Sequence, residues 1–222
     1  MTVLHLADEG EAADFAAFLS RLLHYDRAAA VRLQAAGTAL AVFGRPPSFE
    51  VLAVRAVRLA KPYENGLDVT LDVTVSAGEL LESLDELAAT AGVPAAVTGP
   101  PWAGVLPPRG GWTPEPGLPG QQALHGMIAA GVAEFRSRTQ ELTPETRTRA
   151  ELDRVGREIW SRTVGDTALP VRAVHAAQSL GFLRPGGESG LFSSGAWLRL
   201  RTPYGSIAVR RAGLGALGVS VR

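Results

Sequence analysis

LDVTLDVTV, residues 67–75, alternates without a break: Leu67, Val69, Leu71, Val73 and Val75 point one way, and Asp68, Thr70, Asp72 and Thr74 the other. Successive side chains on a strand face opposite sides, so this stretch predicts an antiparallel sheet with one apolar and one wet face. The stretch is preceded by Asn65-Gly66, a hairpin turn signal, and followed by Ser76 and Glu79, the capping box of a helix whose apolar face is Leu80, Leu84 and Leu87 and whose stop is Gly92.

Upstream, Thr2 to Ala7 reads as a short strand. Asp8 and Glu11 then cap a helix with an apolar stripe of Phe15, Phe18, Leu19, Leu22 and Leu23, ending near Tyr25. Val31 and Leu33 alternate with Arg32 and Gln34, and Leu40 to Phe43 forms a second run that Pro46-Pro47 breaks. Phe49 to Ala60 is a longer strand interrupted by Arg55 and Arg58. Residues 1–92 thus read β-α-β-β-β-β-α, a sheet covered on one face by two helices. This order resembles one half-unit of a DNA sliding clamp, a resemblance that implies a fold and no function. No second copy of the order is legible downstream.

The fold class expected is α+β, with three parts: an N-terminal antiparallel sheet domain with two helices over residues 1–98, a Pro/Gly/Trp connector over 99–120, and a mostly helical part over 121–222 that ends in a β-hairpin. Helices are expected over Gln121–Glu141, from Thr143-Pro144-Glu145 through Leu152, Val155 and Ile159, and over Thr167–Leu180 with Pro170 in the first turn. Ala196 to Arg211 folds back around Pro203-Tyr204-Gly205, pairing Leu198 and Leu200 with Ile207 and Val209, and a Gly-rich tail follows. Three helices and then a hairpin is the order of a winged helix.

Composition narrows function less than fold. The 222 residues are 46% hydrophobic and 20% charged, enough to build a core. Cysteine is absent, so disulfides, thiolate metal sites and cysteine nucleophiles are excluded. The N-terminal residues lack a signal-peptide pattern, and no apolar run approaches the ~18 residues of a membrane span, so the expected location is the cytoplasm, without membrane contact. Lys61 is the only lysine, and the wealth of Ala, Gly, Arg and Pro has the look of a GC-rich genome. Residues 1–119 hold 8 basic against 14 acidic side chains and residues 120–222 the reverse, 14 against 8. Such halves can dock on each other, within one chain or between copies in a homo-oligomer, and the basic half can meet nucleic acid or an acidic protein.

No HExxH, Walker A, GxGxxG or EF-hand pattern is present, and Gly187-Glu188-Ser189-Gly190-Leu191 lacks the closing glycine of a nucleophile elbow. His5, His24, His125 and His175 are scattered, so neither a metal nor another cofactor is expected. Asp68 and Asp72 share a strand face, where they could hold a hard cation, serve acid–base work or simply keep the outer face wet, the last being the simpler reading. Two groups of residues stand out as binding candidates. One is a basic surface formed by Arg172, His175 and Gln178 on the last helix with Trp197, Arg199, Arg201 and Arg210 on the hairpin, suited to phosphates or an acidic partner. The other is Trp102, Arg109 and Trp112, in a loop whose aromatic and Gly/Pro content suits gripping a small ligand, as in a binding protein or an enzyme. The leading expectation is a non-enzymatic binding or regulatory protein that uses the basic surface; the small-ligand site and a self-assembling structural protein are the alternatives.

The run Leu169-Pro170, Ala173, Ala176-Ala177, Leu180-Gly181-Phe182-Leu183, then Trp197, Arg199, Leu200, Thr202-Pro203 and Gly205, together with Pro107-Pro108-Arg109-Gly110-Gly111-Trp112, resembles a pattern in an uncharacterised protein family of GC-rich bacteria. That resemblance covers much of residues 100–211 and, as the family has no assigned activity, implies no functional residue.

Overall fold

A computed structural model describes residues 2–60 and 71–211, with Ala36 described by its backbone alone. The Asn65-Gly66 turn, Leu67 to Thr70 and the tail after Arg211 lie outside the described residues. In chain order the elements are β1 (Val3–His5), α1 (Glu9–Tyr25), β2 (Ala30–Ala36), β3 (Ala39–Gly44), β4 (Leu52–Arg58), β5 (Asp72–Ser76), α2 (Ala77–Glu82), β6 (Leu84–Asp85), β7 (Thr90–Gly92), β8 (Thr113–Glu115), α3 (Gln121–Gln140), α4 (Arg149–Trp160), α5 (Val171–Ser179), β9 (Gly190–Ser194), β10 (Trp197–Thr202) and β11 (Gly205–Arg210). The class is α+β, as the residue pattern indicates.

Eight strands form one antiparallel sheet in the order β5-β2-β3-β4-β11-β10-β9-β8. Period-two alternation fixes its two faces. Val31, Leu33, Leu40, Val42, Ala53, Val57, Val75, Leu198, Leu200, Ile207 and Val209 point to the helix layer and are buried there with Phe15, Phe18, Leu19 and Leu22 of α1 and Ala173, Val174 and Ala177 of α5. The expected hairpin pairing is present, with Leu198 opposite Val209 and Leu200 opposite Ile207. Asp8 caps α1 by accepting from the Glu11 amide at 2.7 Å, and Ser76 caps α2.

The meander β2-β3-β4 follows α1, the meander β9-β10-β11 follows α5, and the two join where β4 pairs with β11, Ala53 opposite Ile207. Phe18 of α1 stacks on Phe182 just after α5, ring centroids 5.6 Å apart. A helix followed by a three-stranded meander therefore occurs in both halves. The second copy is hidden in the sequence because α3 and α4 stand ahead of its helix and the two copies share a shape rather than a residue pattern.

Four expectations about elements are corrected. The winged helix is absent: β11 bonds to β4 and β10 to β9, so the hairpin is interior to the sheet and cannot serve as a free wing. The helix after Ser76 stops at Glu82 instead of Gly92, because Ser83 Oγ donates toward the carbonyls of Leu80 and Gly92 and β7 leaves to pair with β1. Leu87, placed on an inner helical face by its spacing, is 83% exposed. Thr143 to Thr146 forms a turn, and α4 begins at Arg149 with Thr148 as its cap. The last helix begins at Val171, with Pro170 at the N-cap position rather than within the first turn.

Candidate binding grooves on the open face of the sheet

The sheet face turned away from the helices carries Arg32, Gln34, Ala41, Phe43, Leu52, Val54, Ser206, Ala208, Arg210, Trp197, Arg199 and Arg201, by the same alternation that buries their neighbours. Phe43, Leu52, Val54 and Ala208 form a small second core there, covered by Trp102 and Leu106 of the segment that links the halves and by Trp197. That segment leaves the edge of β5, where the Val97 amide donates to the Thr74 carbonyl at 2.9 Å. It crosses the face, held by Arg32 donating to the Ala103 carbonyl, and ends as β8 against β9. A groove opens on either side of the crossing.

The larger groove, about 800 Å³, is lined by Arg109, Trp112, Phe192, Arg199, Arg201 and Glu188, among others. Arg199 donates from Nε to Ser206 Oγ at 2.8 Å, and its guanidinium lies 5.5 Å from the Trp112 ring centre. Trp112 is fixed by donating from Nε1 to the Pro108 carbonyl at 3.0 Å. Burial, with the like charge of Arg201 second, makes the Arg199 guanidinium a stronger acid than usual, although an arginine so far above neutrality keeps its charge. The groove continues into a slot of about 220 Å³ beneath Pro107 and Pro108, floored by Ala41, Phe43 and Val54.

The smaller cleft, about 300 Å³, brings together Arg45, Trp102, Arg172, Trp197 and Arg210 with Glu50; the Arg210 guanidinium lies 5.7 Å from the Trp197 ring centre. The candidate residues are thus redistributed. Arg199 and Arg201 meet Arg109 and Trp112, while Arg172, Trp197 and Arg210 meet Trp102. His175 lines neither groove. It packs between Phe49, edge to face at 5.1 Å, and Trp160 at 4.4 Å, and burial holds its pKa below the usual histidine value. Gln178 is exposed on α5 and lines neither groove. Arg45, Glu50 and Phe192 escaped the sequence reading. Arg45 precedes the Pro46-Pro47 break, which carries no hint of a cleft.

The arginines outside the two grooves are largely taken up in ion pairs with neighbouring acids, although Arg21, Arg27, Arg136, Arg147 and Arg157 also have none among the described residues. In α3, α4 and the turn after them, Arg138, Arg149, Arg154 and Arg162 pair with Glu134, Asp153, Glu151 and Glu158. Arg32 pairs with Asp72 at 2.8 Å, and this contact holds the Asp72 carboxyl below its usual pKa; Asp68 lies outside the described residues. Among the described residues, no carboxylate comes within ion-pair distance of Arg45, Arg109, Arg172, Arg199, Arg201 or Arg210. Nor do three or more His, Asp or Glu side chains of the described residues gather closely enough to hold a metal ion.

Family models cover nearly the whole chain. The domain of unknown function DUF8010 matches residues 1–104 and the domain of unknown function DUF8185 matches residues 107–214. The chain carries one of these domains of unknown function in each half. The boundary between the two domains falls between residues 104 and 107, in the segment that crosses the open face, so the larger groove takes Val54 and Ala56 from the DUF8010 domain and its arginines from the DUF8185 domain. No curated protein matches the sequence. Similar solved structures include the DNA polymerase sliding clamp from Pseudomonas aeruginosa, at 13% identity and a TM-score of 0.50 over 94% of this chain and 64% of the clamp. The same clamp with ligand gives 14% identity and a TM-score of 0.49 over 90% and 62%. The chain spans a little under two thirds of the clamp's length, and the likeness is one of fold. Among the described residues, no helix is long and apolar enough to cross a membrane.

Proposed function

We propose that this chain is a binding protein that holds single-stranded nucleic acid in the larger groove of its open sheet face. One observation carries the reading: Arg109, Arg199 and Arg201, without ion-pair partners among the described residues, converge beside Trp112 and Phe192. Arg199 and Arg201 sit two residues apart on one strand face, ~7 Å along the strand, and can meet separate phosphates of an extended backbone. Aromatic side chains beside such cations offer stacking surfaces for bases, the combination by which single strands are held without sequence preference. An acidic protein would use the same charges but leave the aromatic surfaces without a role. The clamp likeness lends the reading only a common fold.

Fluorescence anisotropy of a labelled oligothymidylate tests it. Binding is expected at low salt, with log affinity falling linearly as log salt rises. Replacing both Arg199 and Arg201 by Ala should make that slope shallower by about 1.4, since each single-strand phosphate contact contributes about 0.7. Absence of binding at low salt, or an unchanged slope in the double variant, would remove the nucleic-acid reading.

A further inference from the structure

We infer that the smaller cleft, between Trp102 and Trp197, is a separate binding site for a small carboxylate with a flat apolar body. Its volume of about 300 Å³ lies at the lower end of the range for small-molecule sites. Leu52, Val105 and Ala208 give it an apolar lining, and the two half-buried tryptophans offer ring surfaces for a planar group. The polar contribution comes from three arginines, of which Arg172 is the telling one. Its Nε is buried without a hydrogen-bond partner. Arg55 and Arg211 also have an unpartnered Nε, but their terminal nitrogens are paired with Glu11 and Glu115. Arg172 makes no side-chain hydrogen bond or ion pair to any described residue, although it lines the cleft.

The terminal nitrogens of Arg172, unlike its Nε, are not buried and likewise have no acceptor among the described residues, and a carboxylate in the cleft fits them by accepting from both together. Arg45 and Arg210 add positive charge, while Glu50 at the same cleft reduces the net charge of these groups to about +2 and so favours a monoanion over a phosphate dianion. The site shares no lining residue with the larger groove, so it stands or falls independently of the nucleic-acid reading.

The test is calorimetric titration of the full chain with 2-naphthoate, with neutral 2-naphthylmethanol as the matched control. Saturable naphthoate binding is expected, weakened at least about tenfold by Arg172→Gln, the scale of a lost charge-assisted hydrogen bond, and unchanged by Arg199→Gln. The neutral compound should bind at least about tenfold more weakly than naphthoate. No saturation up to about 10 mM, equal affinity for the neutral compound, or indifference to Arg172→Gln would each overturn the proposal. Should Arg172→Gln fail to fold, Arg210→Gln, which alters an exposed side chain, is expected to weaken naphthoate binding in its place, and an unchanged affinity there would count equally against the site.

Discussion

Arg55 places a guanidinium on the helix-facing side of a central strand, between Ala53 and Val57, both of which are apolar and buried. Its charge is answered there: one terminal nitrogen donates to Glu11 at 2.7 Å and the other to the Tyr204 carbonyl at 2.7 Å. Arg58 donates to the second Glu11 oxygen at 2.9 Å, and Arg184 pairs with Asp14 while lying 4.2 Å from the Tyr204 ring centre. The Glu11 and Arg55 side chains are only 5% and 7% exposed, so removing Glu11 leaves the Arg55 guanidinium away from water with only Asp14, at 3.6 Å, as a carboxylate partner. Glu11→Ala is therefore expected to cost ~3–5 kcal/mol in urea unfolding, and the double replacement Glu11→Leu with Arg55→Leu should recover much of that loss. Asp153→Ala, which breaks an exposed pair with Arg149, should leave stability unchanged within error. A Glu11→Ala loss no larger than that of Asp153→Ala would show the buried network to be energetically idle. A charge within an apolar strand reads from sequence as an interruption, so Arg55 could be noticed in the string but not turned inward, and Arg58, on the opposite side of the strand and largely exposed, could not be tied to the same carboxylate. Their answering carboxylate lies more than 40 residues away, and no local rule reaches that far.

Elements were legible where periodicity was long and both partners were close in the chain. Strand β10 and strand β11 could be paired residue by residue because a tight turn joins them and alternation fixes the register. The end of α2 could not be read, because Leu80, Leu84 and Leu87 keep helical spacing whether or not the chain continues as a helix, and it is the pairing of β7 with β1 that ends it. Helix contacts pose the same problem at α3, whose Gly131 looks like a weak spot in a helix. In the structure it is where α3 meets α4: a Cβ at Gly131 would lie 2.8 Å from the Trp160 ring and 3.4 Å from Ile159. Glycine is kept there for closeness of approach, against its poor helix propensity. Gly131→Val should lower stability by about 2 kcal/mol through overpacking, despite valine's better helix propensity. Oligonucleotide affinity should hold, because Gly131 does not line the larger groove. A gain in melting temperature would mean that α3 and α4 can separate at no cost and that the contact is incidental.

At the scale of the whole molecule, the deciding contact is β4 against β11, which turns two helix-and-meander units into one eight-stranded sheet. Neither the domain-sized composition nor the charge split between the halves could reveal it, since strand pairing between distant segments leaves no mark in either. The same join explains why the groove was legible only in pieces: Arg199 and Arg201 were readable as outward-facing, and Arg109 and Trp112 as belonging to an aromatic loop, but their meeting depends on where the linking segment crosses the sheet. The join also predicts how the molecule unfolds. Separating the halves would expose the edges of β4 and β11 and part Phe18 from Phe182, leaving unpaired strand edges beside apolar surface. All four tryptophans fall at or after Trp102, so fluorescence follows the DUF8185 part and the linking segment, while far-ultraviolet circular dichroism follows both halves. The two signals should trace a single urea transition with a common midpoint, as for one cooperative unit. Two separated midpoints would mean that each half folds alone and that the β4–β11 seam opens first. In that case the larger groove, which draws its walls from both sides of the seam, would be lost before the DUF8185 fluorescence transition, and oligonucleotide binding measured at rising urea would disappear ahead of it.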